Sequence, residues 1–170
     1  MLVEEYTKTL KNKLKARTVV FLVKDNKVLL GYKKKGFGKG YYIGIGGKVE
    51  DEETIEGAAI REIEEEINVT ISVENLQKVA LLKFYFPHVA DESWNQEVHA
   101  YLVNNWDGEP NPTEEIEPKW FDKNELPLDK MWDDAQYWIP NILKGEKIYQ
   151  EYLFNEDLKV VETQPFKEVL

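Results

Sequence analysis

Gly46-Gly47-Lys48-Val49-Glu50-Asp51-Glu52-Glu53-Thr54-Ile55-Glu56-Gly57-Ala58-Ala59-Ile60-Arg61-Glu62-Ile63-Glu64-Glu65-Glu66-Ile67-Asn68-Val69 is the stretch that decides the fold. Ile55, Ala58, Ala59, Ile63 and Ile67 recur at helical spacing, which predicts a helix over 54–67. Thr54 suits the N-cap, where a hydroxyl oxygen accepts from a free N–H of the first turn. Asn68 suits the left-handed residue that ends a helix. On this helix Glu62 and Glu66 stack one turn apart, with Glu65 beside them. Like charges at that spacing cost a helix about 0.2–0.5 kcal/mol per pair. A Glu run is ordinarily a solvated acidic face, but the projection disagrees. With Ile55 at zero, Glu62 falls at roughly 340° and Glu66 at roughly 20°, within the apolar arc from Ala58 at roughly 300° to Ile67 at roughly 120°. Glu64 lies on the far side. Glu56 also falls in the arc, but in the first turn the helix dipole favours an anion. Carboxylates turned toward the protein need a counter-charge, which a hard divalent cation supplies. Mg²⁺ takes oxygen ligands and keeps waters and phosphates in its shell. Glu62, Glu65 and Glu66 therefore read as a phosphate-handling metal site.

Outward from this segment the chain mixes strands and helices. Thr18–Val23 is β-branched and apolar, Asp25-Asn26 is a turn, and Lys27–Gly31 is the returning strand. Lys33-Lys34-Lys35-Gly36-Phe37-Gly38-Lys39-Gly40 is a basic, glycine-rich loop, either a surface loop or one that approaches phosphates. Strands are expected at 78–86 and 97–103, turns over 108–118, and a short apolar element at Trp120-Phe121. A second helix is expected from near Asp133, and two last strands at 147–154 and 158–163. This is an α/β (α+β) pattern with hairpins as well as crossovers. Residues 1–15, polar and Lys-rich, form an N-terminal extension, and 16–170 form a single domain.

Composition narrows the function. The 170 residues carry a formal net charge of −10, which disfavours a nucleic-acid polymer as partner because phosphate backbones need a Lys/Arg surface. A small anionic substrate fits if a divalent cation offsets the carboxylates. Cysteine is absent, so no disulfide, redox dithiol or thiolate metal site is available. No apolar run approaches the ~20 residues of a membrane span. Met1-Leu2-Val3-Glu4-Glu5 lacks the pattern of a signal peptide. A cytoplasmic protein with no membrane partner is expected, and a monomer is compatible with everything read so far.

Gly47, five residues, Glu53, seven residues, then Arg61-Glu62-Ile63-x-Glu65-Glu66-x-Asn68-Val69 resembles the Nudix box, G-x5-E-x7-R-E-U-x-E-E-x-G-U with U a bulky aliphatic. Only the final Gly departs, replaced by Asn68, the other residue that tolerates that backbone. The resemblance implies an α/β/α sandwich with a mixed central sheet that hydrolyses nucleoside diphosphates linked to another moiety. It implies that the Gly46 carbonyl and Glu62, Glu65 and Glu66 ligate Mg²⁺ or Mn²⁺. Arg61 would pair with Glu53 and hold the loop beside Gly47 against the helix. Lys48 would lie near the phosphates or brace the metal ligands. A further carboxylate would act as ligand or base, Glu115 best by alignment, with Glu114 and Glu117 as rivals.

Within that family the chain from about Ala16 onward is similar to the animal-type MutT branch, the oxidised-purine nucleoside triphosphatases that act on substrates such as 8-oxo-dGTP. Lys33-Lys34-Lys35-Gly36-Phe37-Gly38, Gly44-Ile45-Gly46-Gly47-Lys48-Val49, and Met131-Trp132 with Tyr137-Trp138-Ile139-Pro140 carry this likeness. It implies hydrolysis to a nucleoside monophosphate and pyrophosphate, clearing the nucleotide pool, in a pocket lined by Thr18, Lys33, Phe37, Phe84, Phe86, Trp132 and Asp134. The aromatic residues could otherwise simply be core; beside the box, a wall for stacking a base is the stronger reading. The branch reads its base with an Asn and two adjacent Asp residues. Here Ile43 stands at the Asn position, Asp134 and Ala135 at the two Asp positions, and Gln96 at a pocket Met. A small shift at the helix start would let Asp133 and Asp134 together replace the pair. Two rivals remain: a Nudix hydrolase of dinucleoside polyphosphates using Tyr85, and a non-catalytic nucleotide-binding module. Tyr85 would face away from Phe84 and Phe86 on the same strand, and the carboxylates that degenerate modules usually lose are all present.

Overall fold

The computed structural model describes residues 2–166. β1 (Lys15–Lys24) and β2 (Lys27–Lys33) form a hairpin through Asp25, whose φ of 56° closes the turn. Then follow β3 (Tyr42–Ile43), α2 (Ile55–Ile67), β4 (Gln77–Tyr85), β5 (Gln96–Val103), β6 (Ile116–Asp122), α3 (Ala135–Leu143), β7 (Ile148–Phe154) and β8 (Val160–Pro165), with α1 (Val3–Thr7) ahead of all of them. The sheet runs β3-β2-β1-β5-β4-β7-β8, with β6 on β2. β1–β5 and β4–β7 are parallel, whereas β4–β5, β2–β3, β2–β6 and β7–β8 are antiparallel. The class is therefore mixed α/β, as the pattern predicts.

Strand alternation sorts the core into two layers. Val20, Leu22 and Leu29 face α2, where Ala59, Ile63 and Ile67 bury. Phe21, Leu30, Leu82 and Phe84 face α3, where Ala135, Trp138, Ile139 and Ile142 bury. Helices thus cover opposite faces of one sheet, an α/β/α sandwich. α1 adds a smaller cluster in which Val3 and Tyr6 pack on Tyr85 and Leu153.

Two strand assignments differ from the sequence reading. β3 is only two residues long, and its strand character comes from pairing with Gly31 and Tyr32 rather than from local propensity. β6 begins at Ile116, inside the stretch read as turns, and continues past Trp120-Phe121 because all seven of its residues pair with β2.

The α2 termini form as the sequence predicts. Thr54 Oγ accepts from the Gly57 N–H at 2.9 Å. Asn68 sits at φ 59°, ψ 34° and its N–H donates to the Glu64 carbonyl. An L-residue without a short polar side chain resists that backbone by about 1–2 kcal/mol. Asn68→Val should therefore lower the urea-unfolding free energy by about that amount, whereas Asn68→Gly should leave it unchanged or raised.

Candidate active site

The segment 44–49 is held antiparallel to the first half of β1. Val20 and Ile45 exchange backbone hydrogen bonds of 2.6 and 3.0 Å, Thr18 N–H donates to the Gly47 carbonyl at 2.9 Å, and Val49 N–H donates to the Ala16 carbonyl at 3.0 Å. A Cβ on Gly46 would lie 1.9 Å from the Thr18 carbonyl oxygen, and one on Gly47 would lie 2.5 Å from a Glu62 carboxylate oxygen. Glycine is needed at Gly46, where backbone occupies the space a side chain would fill, and at Gly47 a side chain would displace the Glu62 carboxylate.

Arg61 ties this loop to α2. Its Nε and Nη2 donate to the two oxygens of Glu53 at 2.6 and 2.9 Å, Nη2 also to the Lys48 carbonyl at 3.1 Å, and Nη1 to Glu62 at 2.9 Å and Glu65 at 3.2 Å. Hydrogen bonds from Arg61, then from the Glu50 N–H, hold the Glu53 carboxyl down at about 2. Glu62 is half-buried and Glu66 buried, while Glu64 and Glu65 are exposed, in accord with the helical projection. Burial first, then neighbouring charges of Glu65 and Glu115, push the Glu62 carboxyl up against the opposing pull of Arg61. Glu66 is pushed up to about 8, first by burial and then by Glu62; Lys33 and the Gly46 N–H oppose this and Glu115 adds to it.

The basic loop and the 113–117 segment are laced together. Lys35 pairs with Glu114 at 3.2 Å and Lys34 with Glu117 at 3.6 Å, while Lys33 lies 4.0 Å from Glu115. Lys34 also donates from its backbone N–H to the Glu115 carbonyl at 2.8 Å, and Thr113 Oγ donates to the Glu66 carbonyl at 3.0 Å. Of the three candidates in this loop, Glu115 is the one whose charge is felt by both Glu62 and Glu66.

These residues fit a divalent ion. Glu66 Oε2 is buried with no hydrogen-bond partner, an orphaned carboxyl oxygen beside further hard oxygen donors. Among the described residues no three acidic or histidine side chains already form a closed metal cluster; Arg61 draws Glu62 and Glu65 to itself in this state. The Gly46 carbonyl with Glu62, Glu65, Glu66 and Glu115 could supply the ligands.

Next to this acidic helix face lies a cavity of about 200 Å³, lined among others by Thr18, Lys33, Phe37, Ile43, Phe84, Phe86, Gln96, Trp132 and Asp134, and reaching Gly46 and Gly47. Trp132 is stacked by Phe37, with ring centroids 5.4 Å apart, and by Tyr41 at 5.2 Å. Phe86 stacks on Phe154 at 4.6 Å. Asp134 is buried, its Oδ2 accepts from the Trp138 indole N–H at 2.7 Å, and burial pushes its carboxyl up to about 6 despite that bond.

One predicted pocket residue lies elsewhere. Asp133 Oδ2 accepts from the Val160 N–H at 2.8 Å, tying the start of α3 to β8, so it does not join Asp134 in the wall. The Lys48 side chain is exposed, and its carbonyl accepts from Arg61, which also bonds Glu62 and Glu65. Tyr85 is on the opposite face of the sheet, its hydroxyl donating to Glu151 at 2.8 Å. Sequence reasoning missed Arg17, Tyr42, Met131, Trp138 and Phe154 among the cavity walls. For Arg17 the signal was available: alternation from Phe21 through Val19 puts it on the cavity face. Asn95 was missed as well. It is buried, its Oδ1 accepts from the Phe86 N–H at 2.8 Å, and its Nδ2 donates to the Tyr6 hydroxyl at 2.9 Å, so the N-terminal segment braces the cavity wall.

Residues 13–142 match the NUDIX domain family model. The chain is 39% identical over 148 residues to the oxidized purine nucleoside triphosphate hydrolase of Danio rerio, covering 87% of this chain and 92% of that protein. It is 37% identical over 142 residues to the mouse protein of the same name, covering 82% and 86%. Its fold matches the crystal structure of a MutT protein from Bacillus halodurans with a TM-score of 0.75 at 20% identity, over 92% of this chain and all of that one.

A buried carboxyl whose folded value lies above its unfolded value opposes folding once the unfolded chain ionises. The penalty is absent well below the ordinary glutamate value, grows as pH rises towards about 8, and is constant above that. Metal-free Glu66→Gln should therefore be more stable than wild type at pH 8 by roughly 3–5 kcal/mol, with the gap closing as pH falls towards ~4.5. Magnesium should raise the melting temperature of wild type and have little effect on the variant. Calorimetric scans across pH check both.

Proposed function

Because the chain belongs to the Nudix hydrolase family, we propose that it hydrolyses a purine nucleoside triphosphate, oxidised at the base, to the monophosphate and pyrophosphate, and so clears damaged nucleotides from the pool. The observation that carries this reading is one cavity, walled by Phe37, Phe86 and Trp132, that reaches Gly46 and Gly47 beside the carboxylates of α2. The aromatic faces take a purine by stacking, and the triphosphate runs out past the glycine pair. Mg²⁺, or Mn²⁺ in its place, lowers the pKa of water and offsets phosphate charge when bound. Gly46, Glu62, Glu65, Glu66 and Glu115 are the residues that would hold it. Glu66, Glu65 or Glu115 takes the proton from the attacking water, Lys33 offers a cation from the basic loop, and Arg61 keeps the loop and α2 in register. Water attacks an internal phosphorus and breaks the α–β bridge, expelling pyrophosphate if it attacks α or the nucleoside monophosphate if it attacks β, with no covalent intermediate. The substrate is a small nucleotide in the cytoplasm. Among the described residues no helix is long and apolar enough to cross a membrane.

Base selectivity follows from what the cavity contains. Ile43 neither donates nor accepts, whereas an Asn there would do both. Ala135 offers no polar atom, Asp133 is engaged with β8, and Asp134 already accepts from Trp138. One carboxylate, the unpartnered Thr18 hydroxyl and the Gln96 amide, itself donating to the Trp94 carbonyl at 3.0 Å, are left to read the base edge. A base atom unpaired in such a cavity costs about 1–3 kcal/mol, enough to reorder substrates by tenfold or more.

Steady-state kinetics on normal and oxidised purine nucleoside triphosphates and on diadenosine polyphosphates test the reading. The triphosphates should be preferred to the dinucleotides, with an oxidised purine above its normal counterpart; preference for the dinucleotides would overturn it. Ile43→Asn should raise kcat/KM for 8-oxo-dGTP relative to dGTP, and an unchanged ratio would mean that Ile43 does not face the base. Glu66→Gln should lower kcat by about 10²–10⁴ or more, and near wild-type turnover would remove Glu66 from the metal site.

A further inference from the structure

We propose that Arg17 binds the phosphate that carries the nucleoside and positions it between the aromatic cavity and the carboxylates of α2. The chain has two arginines. Arg61 is saturated by Glu53, Glu62, Glu65 and the Lys48 carbonyl. Arg17 is its opposite. It lines the cavity together with Gly46 and Gly47, and its Nε is buried without a hydrogen-bond partner. Among the described residues its side chain enters no salt bridge and no hydrogen bond. Its backbone bridges that of Lys48 and pairs with Val98 of β5, so β1 is held on both sides at this position.

A guanidinium stays charged even when burial disfavours the charge, as it does here, with Glu62 giving partial compensation. Burying a cation without a hydrogen-bonded counter-ion is costly unless a ligand supplies one. Its planar fork of donors matches the oxygens of a phosphate, two at a time. Location decides which part of a nucleotide that is. Arg17 is close enough to Glu62 for the carboxylate charge to act on it, and Gly47 abuts Glu62. The Arg17 backbone also bridges that of Lys48, so Arg17 stands at the end of the cavity that meets the acidic helix. Of the other cations, Lys34 is matched with Glu117 and Lys35 with Glu114, while Lys33, which also lines the cavity, stands 4.0 Å from Glu115. Against several carboxylates that repel a polyphosphate, Arg17 and Lys33 are the positive charges that line the cavity, and among the described residues Arg17 is the one of the two that enters no salt bridge.

This inference rests on the nucleotide reading given above, and binding without turnover tests it separately. With divalent cations removed by a chelator, calorimetry would compare 8-oxo-deoxyguanosine with its monophosphate on wild type, Arg17→Met and Arg17→Lys. Wild type should bind the monophosphate more tightly than the nucleoside. Arg17→Met should weaken the monophosphate by roughly 10- to 100-fold and leave nucleoside affinity unchanged. Arg17→Lys, which keeps charge but loses the fork, should fall between them and stands in should the Met variant fail to fold. An unchanged ratio of the two affinities in either folded variant would overturn the proposal, as would equal loss of both, which marks a merely structural residue. Equal affinities for the two ligands on wild type would also overturn it while leaving the nucleotide reading intact. Binding of neither ligand to wild type would overturn both.

Discussion

Arg61 donates from one guanidinium to both oxygens of Glu53, to the Lys48 carbonyl, and to Glu62 and Glu65. Only arginine has the planar fork that serves a bidentate carboxylate and still reaches further acceptors. The pairing fixes two things at once. It clamps the 48–53 loop onto α2, and through the loop it holds the glycine pair against β1. It also sets the direction of the carboxylates next to it on the helix. Glu53 is kept anionic far below neutrality, so the clamp holds across the pH range in which the enzyme would work. Exposed ion pairs contribute little, but this one is mostly covered, geometrically matched and shared by several partners.

On that frame the protein tolerates groups that oppose its own folding. Glu66 is buried with an unpartnered oxygen, and Asp134 is buried with a single indole donor. Arg17 adds a cation without a counter-ion. These unfavourable elements gather around one cavity and the adjoining helix face, while the apolar layers on either side of the sheet are well packed. Distant braces hold the walls in place. Tyr6, beyond the strands in sequence, reaches the Phe86 backbone through Asn95.

The part of the fold that could be read from sequence is the part written in local chemistry. α2 carries its periodicity, its Thr54 cap and its Asn68 stop within one short stretch, and the glycine spacing that precedes it is dictated by contacts with Thr18 and Glu62. The aromatic walls were legible because Phe84 and Phe86 alternate with Tyr85 on one strand. What escaped was set by partners far along the chain. β3 exists because β2 pairs with it. β6 starts among prolines and glutamates that look like turn. Asp133 sits beside Asp134 in sequence, yet its carboxylate caps Val160 of the last strand. Ion pairs with the lysine loop hold Glu114, Glu115 and Glu117 in place, and no spacing in the sequence records which lysine meets which glutamate.

Phosphorus NMR of the products formed in ¹⁸O-enriched water with magnesium shows whether water attacks an internal phosphorus of a nucleoside triphosphate at the carboxylate face of α2. Such attack yields nucleoside monophosphate and pyrophosphate in equal amounts, with the label in one of these two. Nucleoside diphosphate accompanied by labelled orthophosphate would mean attack at the terminal phosphorus instead and would rule it out.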